Sequence, residues 1–288
     1  MLQKSFLCFF MGFITMSMAQ DNDLLIRVAT YNIRREGKER SPERLWQNRK
    51  QQVVDLIARV NPDIIGMQEA TESQILDLGR LLPQFLSIGK GRGASWGGLG
   101  TNEYNPIFYN REKFELLDQE TFTINTYESL LPLWNIWYYK QTGWLPRICT
   151  WAQFKDRATG KIFYVYNTHL DNDYQEARQL SAQIIKQHMN NKSPIIMTGD
   201  FNMGFVEPLT NIFDNFVHAR DNAKELAGPQ ETRTGWADDE LKEIDHILLQ
   251  KGVASVNHFE VIQEERPYSS DHRFVFADIS FSPLSVLQ

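Results

Sequence analysis

The sequence predicts an α/β fold in one domain, because strand-like runs and amphipathic helices alternate until the end of the chain. The 288 residues are 42% hydrophobic and 23% charged, which is ordinary for a soluble globular protein. This length is close to the upper limit for one hydrophobic core. No internal repeat, low-complexity tract or linker-like stretch separates two parts. We therefore expect residues 20–288 to form a single domain.

The N-terminal segment differs from the rest of the chain. Lys4 precedes the apolar run 6–18, and residues 17–19 (Ser-Met-Ala) place small side chains where a signal peptidase cleaves. We interpret residues 1–19 as a cleaved secretory signal, with an uncleaved anchor or a buried N-terminal helix as the alternatives. No later segment is long and apolar enough to span a bilayer. The expected location is therefore outside the cytoplasm, in the periplasm or the extracellular space.

The first half of the domain is predicted from apolar spacing and from helix start and stop signals. Residues 24–33 indicate a strand, and residues 41–42 (Ser-Pro) supply the N-cap and first-turn proline of a helix. That helix ends near residues 61–62 (Asn-Pro). Residues 63–67 indicate a short buried strand, and residues 72–82 indicate a second helix.

The second half is richer in strands. Further strands are predicted at residues 106–109, 114–124, 148–155, 161–168, 194–198, 244–249, 256–262 and 274–279. A Thr159-Gly160 turn indicates that two of them form a hairpin. The clearest helix places on one face Ala177, Leu180, Ser181, Ile184, Ile185 and His188.

Two segments follow neither pattern. Residues 89–104 are rich in glycine, and residues 125–146 include an aromatic stretch, 127–144. This stretch carries Trp134, Trp137, Tyr138, Tyr139 and Trp144. Such a stretch either packs on the body of the domain or faces a ligand, and the sequence leaves both open.

Charge and cysteine content restrict the function further. Cleavage of the signal removes Lys4 and no acid, so the formal charge changes from −6 to −7, which gives no long-range attraction to nucleic acid. Phosphate must then be bound locally, by a metal or by a basic cluster. Residues 34–40 with Arg44, Arg49 and Lys50 offer such a cluster, or else a solvated basic helix entrance.

Only one cysteine remains after Cys8 is removed with the signal. Cys149 lies in an apolar run, where a packed small hydrophobic side chain is favoured over a nucleophile. The mature protein would have no internal disulfide, so a sizeable core must hold it together.

Polar side chains lie where several predicted strands end. Asn32 closes the first strand, and Glu69 follows strand 63–67, where a carboxylate in a cleft suits a hard cation such as Mg²⁺. A surface carboxylate at a loop start is the alternative for Glu69 alone. His169 ends another apolar strand, from which an imidazole reaches a phosphoryl oxygen or a leaving group. Its alternative is a capped core histidine.

The stretch TGDFN at 198–202 is the most informative. Asp200 and Asn202 are separated by one residue, so in an extended chain they point the same way. One can accept a proton from water while the other donates to phosphate or binds a metal. Asp245 and His272 stand beside strand-like runs and could pair, which would leave the second imidazole nitrogen for the substrate.

Six stretches occur in a fixed order: TYN at 30–32, QE at 68–69, NTHLD at 167–171, GDFN at 199–202, ID at 244–245 and SDH at 270–272. In this order they resemble the endonuclease/exonuclease/phosphatase superfamily. The resemblance covers nearly the whole mature chain and implies a four-layer α/β sandwich, in which two mixed β-sheets pack face to face with helices outside. NPIFY at 105–109 and the RxxTWAxF pattern at 147–154 look closest to uncharacterised exported bacterial members.

The resemblance also implies the roles of the site residues. A Mg²⁺ or Mn²⁺ ion would be held by Asn32, Glu69 and Asp271. Asp200 would orient or deprotonate the attacking water, and Asn202 would hold the substrate phosphate. His169 would contact the same phosphate or serve as the acid. His272, oriented by Asp245, would stabilise the transition state. Arg147, as in the exported bacterial members, and Asn172 would bind the substrate, although Arg147 could instead be an arginine at the surface of an edge strand.

The expected function is an exported, Mg²⁺-dependent phosphoesterase that hydrolyses phosphodiester bonds, with a nuclease acting on nucleic acid or nucleotides placed first. A phospholipid phosphodiesterase similar to bacterial sphingomyelinases and a small-molecule phosphatase are the alternatives. Arg34 stands where abasic-site endonucleases have an acid, and the 5-phosphatase signature is missing. A catalytically inactive binding module is least favoured, because every motif residue is present. The sequence indicates no protein partner.

Overall fold

Two mixed β-sheets form the centre of the computed structural model, which describes residues 23–93, 102–124, 146–190 and 192–281. The seven-stranded sheet contains, in spatial order, β10 (Ala223–Ala227), β12 (Ser255–Val261), β13 (Val275–Phe281), β1 (Leu24–Asn32), β2 (Ile64–Gln68), β4 (Ile107–Asn110) and β3 (Phe85–Ile88). The six-stranded sheet contains β5 (Phe114–Thr123), β6 (Ile148–Asp156), β7 (Ile162–His169), β8 (Ile195–Asp200), β11 (Asp245–Gln250) and β9 (Phe216–His218). The predicted signal 1–19 and the aromatic stretch 127–144 lie outside the described residues.

Helices cover the outer faces of both sheets. The helices α1 (Trp46–Val60) and α2 (Glu72–Leu81) share a buried cluster with the seven-stranded sheet, while α3 (Gln175–His188) and the short α4 (Leu209–Ile212) share one with the six-stranded sheet. A third apolar cluster joins the inner faces of the two sheets. The order is therefore helix, sheet, sheet, helix, which confirms the expected four-layer α/β sandwich. No helix in the described ranges is long and apolar enough to cross a bilayer.

The start of the first helix differs from the prediction. Ser41-Pro42 begins a 3₁₀ turn (Pro42–Arg44), and the extended backbone of Leu45 separates this turn from α1. The Ser41 hydroxyl donates to the Glu43 carboxylate and makes no capping hydrogen bond to the backbone. The proline therefore stabilises the turn and does not open the helix. Leu180 was also assigned to the wrong face of α3, since 36% of its surface is exposed.

Three short strands were missed by the sequence analysis, and all three lie at sheet edges. β3 and β10 are the outer strands of one sheet, and β9 is an outer strand of the other. An edge strand pairs on one side only and is partly solvated, so its sequence shows no continuous apolar run.

Two parallel strand pairs bring the predicted site residues to one end of the molecule. β1 pairs with β2 in one sheet, and β7 pairs with β8 in the other, each in parallel. Because the C-terminal ends of parallel strands lie at the same sheet edge, Asn32 and Glu69 emerge beside each other, as do His169 and Asp200.

The two sheets approach each other closely beneath that end. Gln68 Nε2 donates to Asn167 Oδ1 at 2.7 Å, and Asn167 Nδ2 donates to the carbonyl of Met67 at 2.7 Å. A Cβ on Gly66 would lie 2.6 Å from Asn167 Oδ1 and closer still to Thr198 Oγ1. Only glycine leaves room at this position for the two sheets to come together.

Candidate active site

A buried carboxylate–imidazole pair occupies one wall of the candidate site. His272 Nδ1 donates to Asp245 Oδ2 at 2.8 Å, and the Thr232 hydroxyl donates to the same oxygen at 2.6 Å. Burial alone would lower the pKa of His272, but the charge and the hydrogen bond of Asp245 raise it to about 10. The imidazole is therefore protonated near neutral pH, and its Nε2 points toward Asp200, 3.8 Å from Oδ2.

Asp200 is the central carboxylate of the site. Its Oδ1 accepts the backbone N–H of Asn202 at 2.9 Å, and its Oδ2 accepts the amide of Asn32 at 3.0 Å. Burial and the neighbouring charge of Asp245 raise the pKa of Asp200 to about 7, although His272 and Asn32 oppose the rise. Asp200 can therefore gain or lose a proton close to neutral pH.

A third group of oxygen ligands faces the same space from the seven-stranded sheet. The Asn32 amide also lies 3.3 Å from Glu69 Oε1. The guanidinium of Arg34 lies between two carboxylates, with Nη1 3.2 Å from Asp271 Oδ2 and 3.9 Å from Glu69 Oε2. The other oxygen of Asp271, Oδ1, is buried and has no hydrogen-bond partner among the described residues. A buried carboxylate oxygen without a hydrogen-bond partner, in the same region as the carboxylate of Glu69, is suited to bind a hard divalent cation.

The geometry offers a second combination of ligands. Atoms of Asp200, Asp245 and His272 also lie within 4.8 Å of one another. We consider the set of Asn32, Glu69 and Asp271 the better one for Mg²⁺ or Mn²⁺, because His272 Nδ1 already donates to Asp245 and because these ions prefer oxygen ligands.

Comparison with known proteins places this site in a family. The model of the endonuclease/exonuclease/phosphatase family matches residues 29–272, a range that contains every site residue named above, from Asn32 to His272. The chain belongs to this family. The family consists of hydrolases that act on phosphate esters.

Solved structures of the family superpose on most of the chain. A family protein from Bacteroides vulgatus is 32% identical, with a TM-score of 0.79 over 90% of this chain and 100% of that one. The mannosyl-6-phosphatase Bt3783 of Bacteroides thetaiotaomicron is 24% identical, with a TM-score of 0.74 over 89% of this chain and 100% of that one.

Similarity by sequence covers a smaller share. Protein angel of Drosophila melanogaster is 27% identical over 170 residues, which are 54% of this chain and 44% of that protein. The chain spans about half the length of the relatives that it matches in this way, between 44% and 59%.

His169 and Asn202 lie beside Asp200 in this family member. His169 Nε2 is 3.5 Å from Asp200 Oδ2, and burial together with the charge of Arg147 lowers the pKa of His169, so the imidazole is neutral near pH 7. Asn202 has a left-handed backbone, with φ of 52°, and its side-chain amide donates to the carbonyl of Leu170 at 3.0 Å. The backbone turn directs residues 200 and 202 to the same pocket.

Arg147 is not a surface arginine of an edge strand. Its side chain is buried, Nη2 donates to Asn172 Oδ1 at 2.7 Å, and Nε lies 3.7 Å from Asp171 Oδ2. Arg147 and Asn172 both line a pocket of about 260 Å³ together with Glu69, His169, Asp200, Asn202 and His272.

The same pocket has a cationic lining that the sequence analysis identified only in part. The lining includes six cationic side chains, namely Arg34, Arg35, Lys38, Arg92, Arg147 and Arg233. Part of the predicted basic run therefore belongs to the site. Arg49 does not, because its guanidinium is buried and donates to the carbonyls of Ile33 and Ser269 at 2.7 and 2.9 Å. Lys50 also lies elsewhere, where it pairs with Asp77 at 3.2 Å.

Four site residues were missed altogether. Thr232 supports Asp245, Arg92 forms an ion pair with Glu103 at 2.9 Å inside the pocket, and Arg233 also lines it. All four lie outside the helices and named strands, where no periodic pattern marks an inward side chain. The glycine-rich composition of residues 89–104 was the one available signal for Arg92 and Glu103. Cys149 is buried in the core as expected, and burial raises the pKa of its thiol.

Proposed function

We propose that this protein is an exported phosphoesterase that uses Mg²⁺ or Mn²⁺ to hydrolyse a compact phosphate ester. The supporting observation is the pocket itself, in which Glu69, Asp200, His272 and cationic side chains line about 260 Å³, with His272 bound to the buried Asp245. Ligand pockets in proteins start near 300 Å³, so the described part of this one suits a phosphate with a small attached group.

Asn32, Glu69 and Asp271 would hold the ion. A divalent cation at such a site neutralises charge on the phosphate and favours ionisation of water. The set contains oxygen donors only, and the unpartnered Asp271 Oδ1 supports it. The side chain of Asn32 also holds Asp200, so the same residue links the proposed ion ligands to the proposed base.

Asp200 would accept the proton of the attacking water. A pKa of about 7 leaves a large fraction of its carboxylate ionised near neutral pH and gives it enough basicity to take up a proton. The oxygen of that water then bonds to phosphorus, and the P–O bond to the leaving group breaks. The leaving oxygen takes up a proton from solvent, and Asp200 releases its own proton to solvent.

His272 would stabilise the charge that develops on the phosphoryl oxygens. Its Nδ1 is bound to Asp245, so its protonated Nε2 is left to donate to the transition state. Asn202, neutral His169 and the Arg147–Asn172 pair would contact the remaining oxygens from the opposite side.

The pocket favours a compact substrate over a polynucleotide. The six cations of the lining lie close enough together to surround one phosphate group, whereas an extended nucleic-acid strand is held by cations spaced along several phosphates. The formal charge of −6 does not supply such a surface in general. The nuclease and the phospholipid phosphodiesterase therefore remain predictions that the same assay tests.

The assay would use the chain from Gln20 onward with Mg²⁺ and three kinds of substrate. These are sugar phosphates and mononucleotides, followed by phosphate release; end-labelled single-stranded DNA and RNA; and sphingomyelin vesicles. Turnover should disappear with a chelator and in His272→Ala. His258→Ala is the matched control, because His258 contacts Glu260 on β12 and no active-site residue.

The pattern of turnover decides between the substrates. Release of phosphate from small esters, with intact nucleic acid, supports the proposal. Cleavage of the labelled strands would replace it with the nuclease. Turnover that persists in His272→Ala or with the chelator would contradict the proposed mechanism. Export is tested separately, by sequencing the N-terminus of the protein recovered from periplasm and medium, where Gln20 is expected first.

A further inference from the structure

A second group of metal-binding side chains lies behind the active site and takes no part in the proposed reaction. His218 ends β9, His246 is the second residue of β11, and Glu243 precedes that strand. Each offers one ligand atom, and the three atoms lie within 4.8 Å of one another. Asp245 and His246 are consecutive on β11 and so point to opposite faces, one toward His272 and the other toward His218.

In each imidazole, one nitrogen faces the other histidine and is called the inner nitrogen. The second, outer nitrogen lies close to a hydrogen-bond acceptor. His246 Nε2 lies 2.9 Å from the carbonyl oxygen of Met203, which can only accept, so the proton of this ring is on Nε2. His218 Nδ1 lies 3.5 Å from Asp221 Oδ2, which favours the proton of that ring on Nδ1. The inner nitrogens, His246 Nδ1 and His218 Nε2, are then both unprotonated.

These two inner nitrogens face each other at 3.1 Å. Two lone pairs at that distance repel, unless a cation lies between them. Moving the proton of His218 to Nε2 would give a hydrogen bond, but the lone pair on Nδ1 would then face the carboxylate of Asp221. An ion satisfies all three ligand atoms and keeps both outer hydrogen bonds.

The dimensions suit zinc. A tetrahedral Zn²⁺ ion with bonds of 2.0–2.1 Å separates its ligand atoms by about 3.3 Å, so the two nitrogens need to move by only a few tenths of an ångström. Histidines that bind metals donate their other N–H to a carbonyl or a carboxylate, as His246 does to Met203, and His218 Nδ1 faces the carboxylate of Asp221 at 3.5 Å. Two imidazoles and one carboxylate are ligands that zinc takes more readily than magnesium.

The surroundings allow an ion to enter. His218 and His246 are buried, whereas Glu243 is half-buried and accepts a hydrogen bond from Gln230 at 2.8 Å. Arg220 lies 4.0 Å from the other oxygen of Glu243, and its charge opposes a cation. All three ligands are therefore needed to outweigh this repulsion.

We propose that His218, His246 and Glu243 bind a structural Zn²⁺ ion, separate from the ion proposed for the active site. The ion would connect β9 and β11 and would fix Met203, which follows Asn202 of the active site. Its role is to hold the backbone that presents Asp245 and Asn202.

The test measures zinc directly and does not rely on turnover. The protein is loaded with Zn²⁺, washed with excess Mg²⁺, and analysed for zinc per chain; Co²⁺ is then used as a coloured substitute. Glu69→Gln removes a proposed ligand of the active-site ion and should keep one zinc per chain and the strong visible absorption of tetrahedral Co²⁺. Glu243→Gln and His218→Gln should lose both.

A matched control and a folding check complete the test. His258→Gln should behave as the unchanged protein, since His258 pairs with Glu225 and Glu260 on another part of the surface. Glu243 is half-buried and glutamine conserves its volume, so this variant should fold. A melting curve recorded without metal verifies that it does. The proposal is overturned if folded Glu243→Gln and His218→Gln still retain the zinc, or if the signal disappears only in Glu69→Gln. It is also overturned if the unchanged protein retains no zinc.

Discussion

Asp200 and Asp245 are register partners on the antiparallel strands β8 and β11, and both carboxylates are buried. Two like charges in direct cross-strand contact are unfavourable in a protein interior. His272 offsets them, because its imidazole donates to Asp245 and its other nitrogen lies 3.8 Å from Asp200. The three side chains therefore form one electrostatic unit, and a change in any one of them affects the other two.

Replacing Asp245 with asparagine should reduce kcat by about 10²–10⁴-fold with little change in KM. The amide keeps the volume but removes the charge that holds His272 protonated and oriented. Steady-state kinetics on the substrate found by the assay above checks this. Thr232→Val should have a smaller effect, because it removes only one hydrogen bond to Asp245. It should reduce kcat by about tenfold or less. A kcat that is unchanged in Asp245→Asn would show that His272 does not depend on this carboxylate.

The dependence of kcat/KM on pH should be bell-shaped. Asp200 has a pKa of about 7, above its ordinary value, so the basic form that accepts a proton appears as the pH rises through 7. His272 has a pKa of about 10, so its donor proton is lost as the pH rises through 10. The two apparent pKa values of this profile belong to the coupled group of Asp200, Asp245 and His272, and not to one residue alone.

The pH profile is measured with Mg²⁺ saturating at every point. In His272→Gln the residual activity should lose the alkaline limb, and the acid limb should move to higher pH because His272 no longer lowers the pKa of Asp200. An acid limb near pH 4 in the unchanged protein would mean that Asp200 titrates as an ordinary carboxylate in the working enzyme.

Replacing Arg34 with glutamine should tighten the binding of Mg²⁺ by about tenfold, or ~1.4 kcal/mol. The guanidinium lies near both Asp271 and Glu69, where its positive charge opposes a cation. Calorimetric titration without substrate checks this. Arg35→Gln is the matched control, because Arg35 lies 3.4 Å from Glu103 instead. Weaker Mg²⁺ binding in Arg34→Gln would show that the arginine mainly holds the two carboxylates in position.

Replacing Arg49 with methionine should destabilise the fold by more than about 3 kcal/mol. Its guanidinium donates to the carbonyls of Ile33, Ser269, Arg44 and Arg34, and these acceptors would lose their partner. Urea unfolding measures the loss. Lys50→Met, on the exposed side of α1, should change the free energy of unfolding by less than about 1 kcal/mol. Equal effects of the two substitutions would contradict a structural role for Arg49.

The sequence located the proposed catalytic residues that follow buried strands. Asp200 comes after an apolar strand, and His169 comes after another, so the position of each could be inferred from strand ends alone. The contact between Asp245 and His272 could be suggested but not established. They are 27 positions apart in the chain with β12 between them, and only the folded sheet brings the two together.

The remaining parts of the site depend on irregular segments. Thr232, Arg92 and Glu103 lie outside helices and interior strands, so their direction is set by tertiary contacts and not by a sequence period. Arg49 shows the opposite difficulty. Its sequence neighbours suggested a basic surface, but it occupies the buried face of α1, where backbone carbonyls of two loops compensate its desolvation.

The close approach of the sheets at Gly66 also determines how the enzyme responds to heat. Asn32 and Glu69 move with one sheet, whereas Asp200 and Asp245 move with the other, and the bridge between Gln68 and Asn167 sets their separation. A displacement of one sheet relative to the other by a fraction of an ångström is enough to misalign the two groups, while every strand keeps its own hydrogen bonds. On warming, the protein is therefore expected to become inactive several degrees before its far-ultraviolet circular dichroism changes, and to recover its activity on cooling.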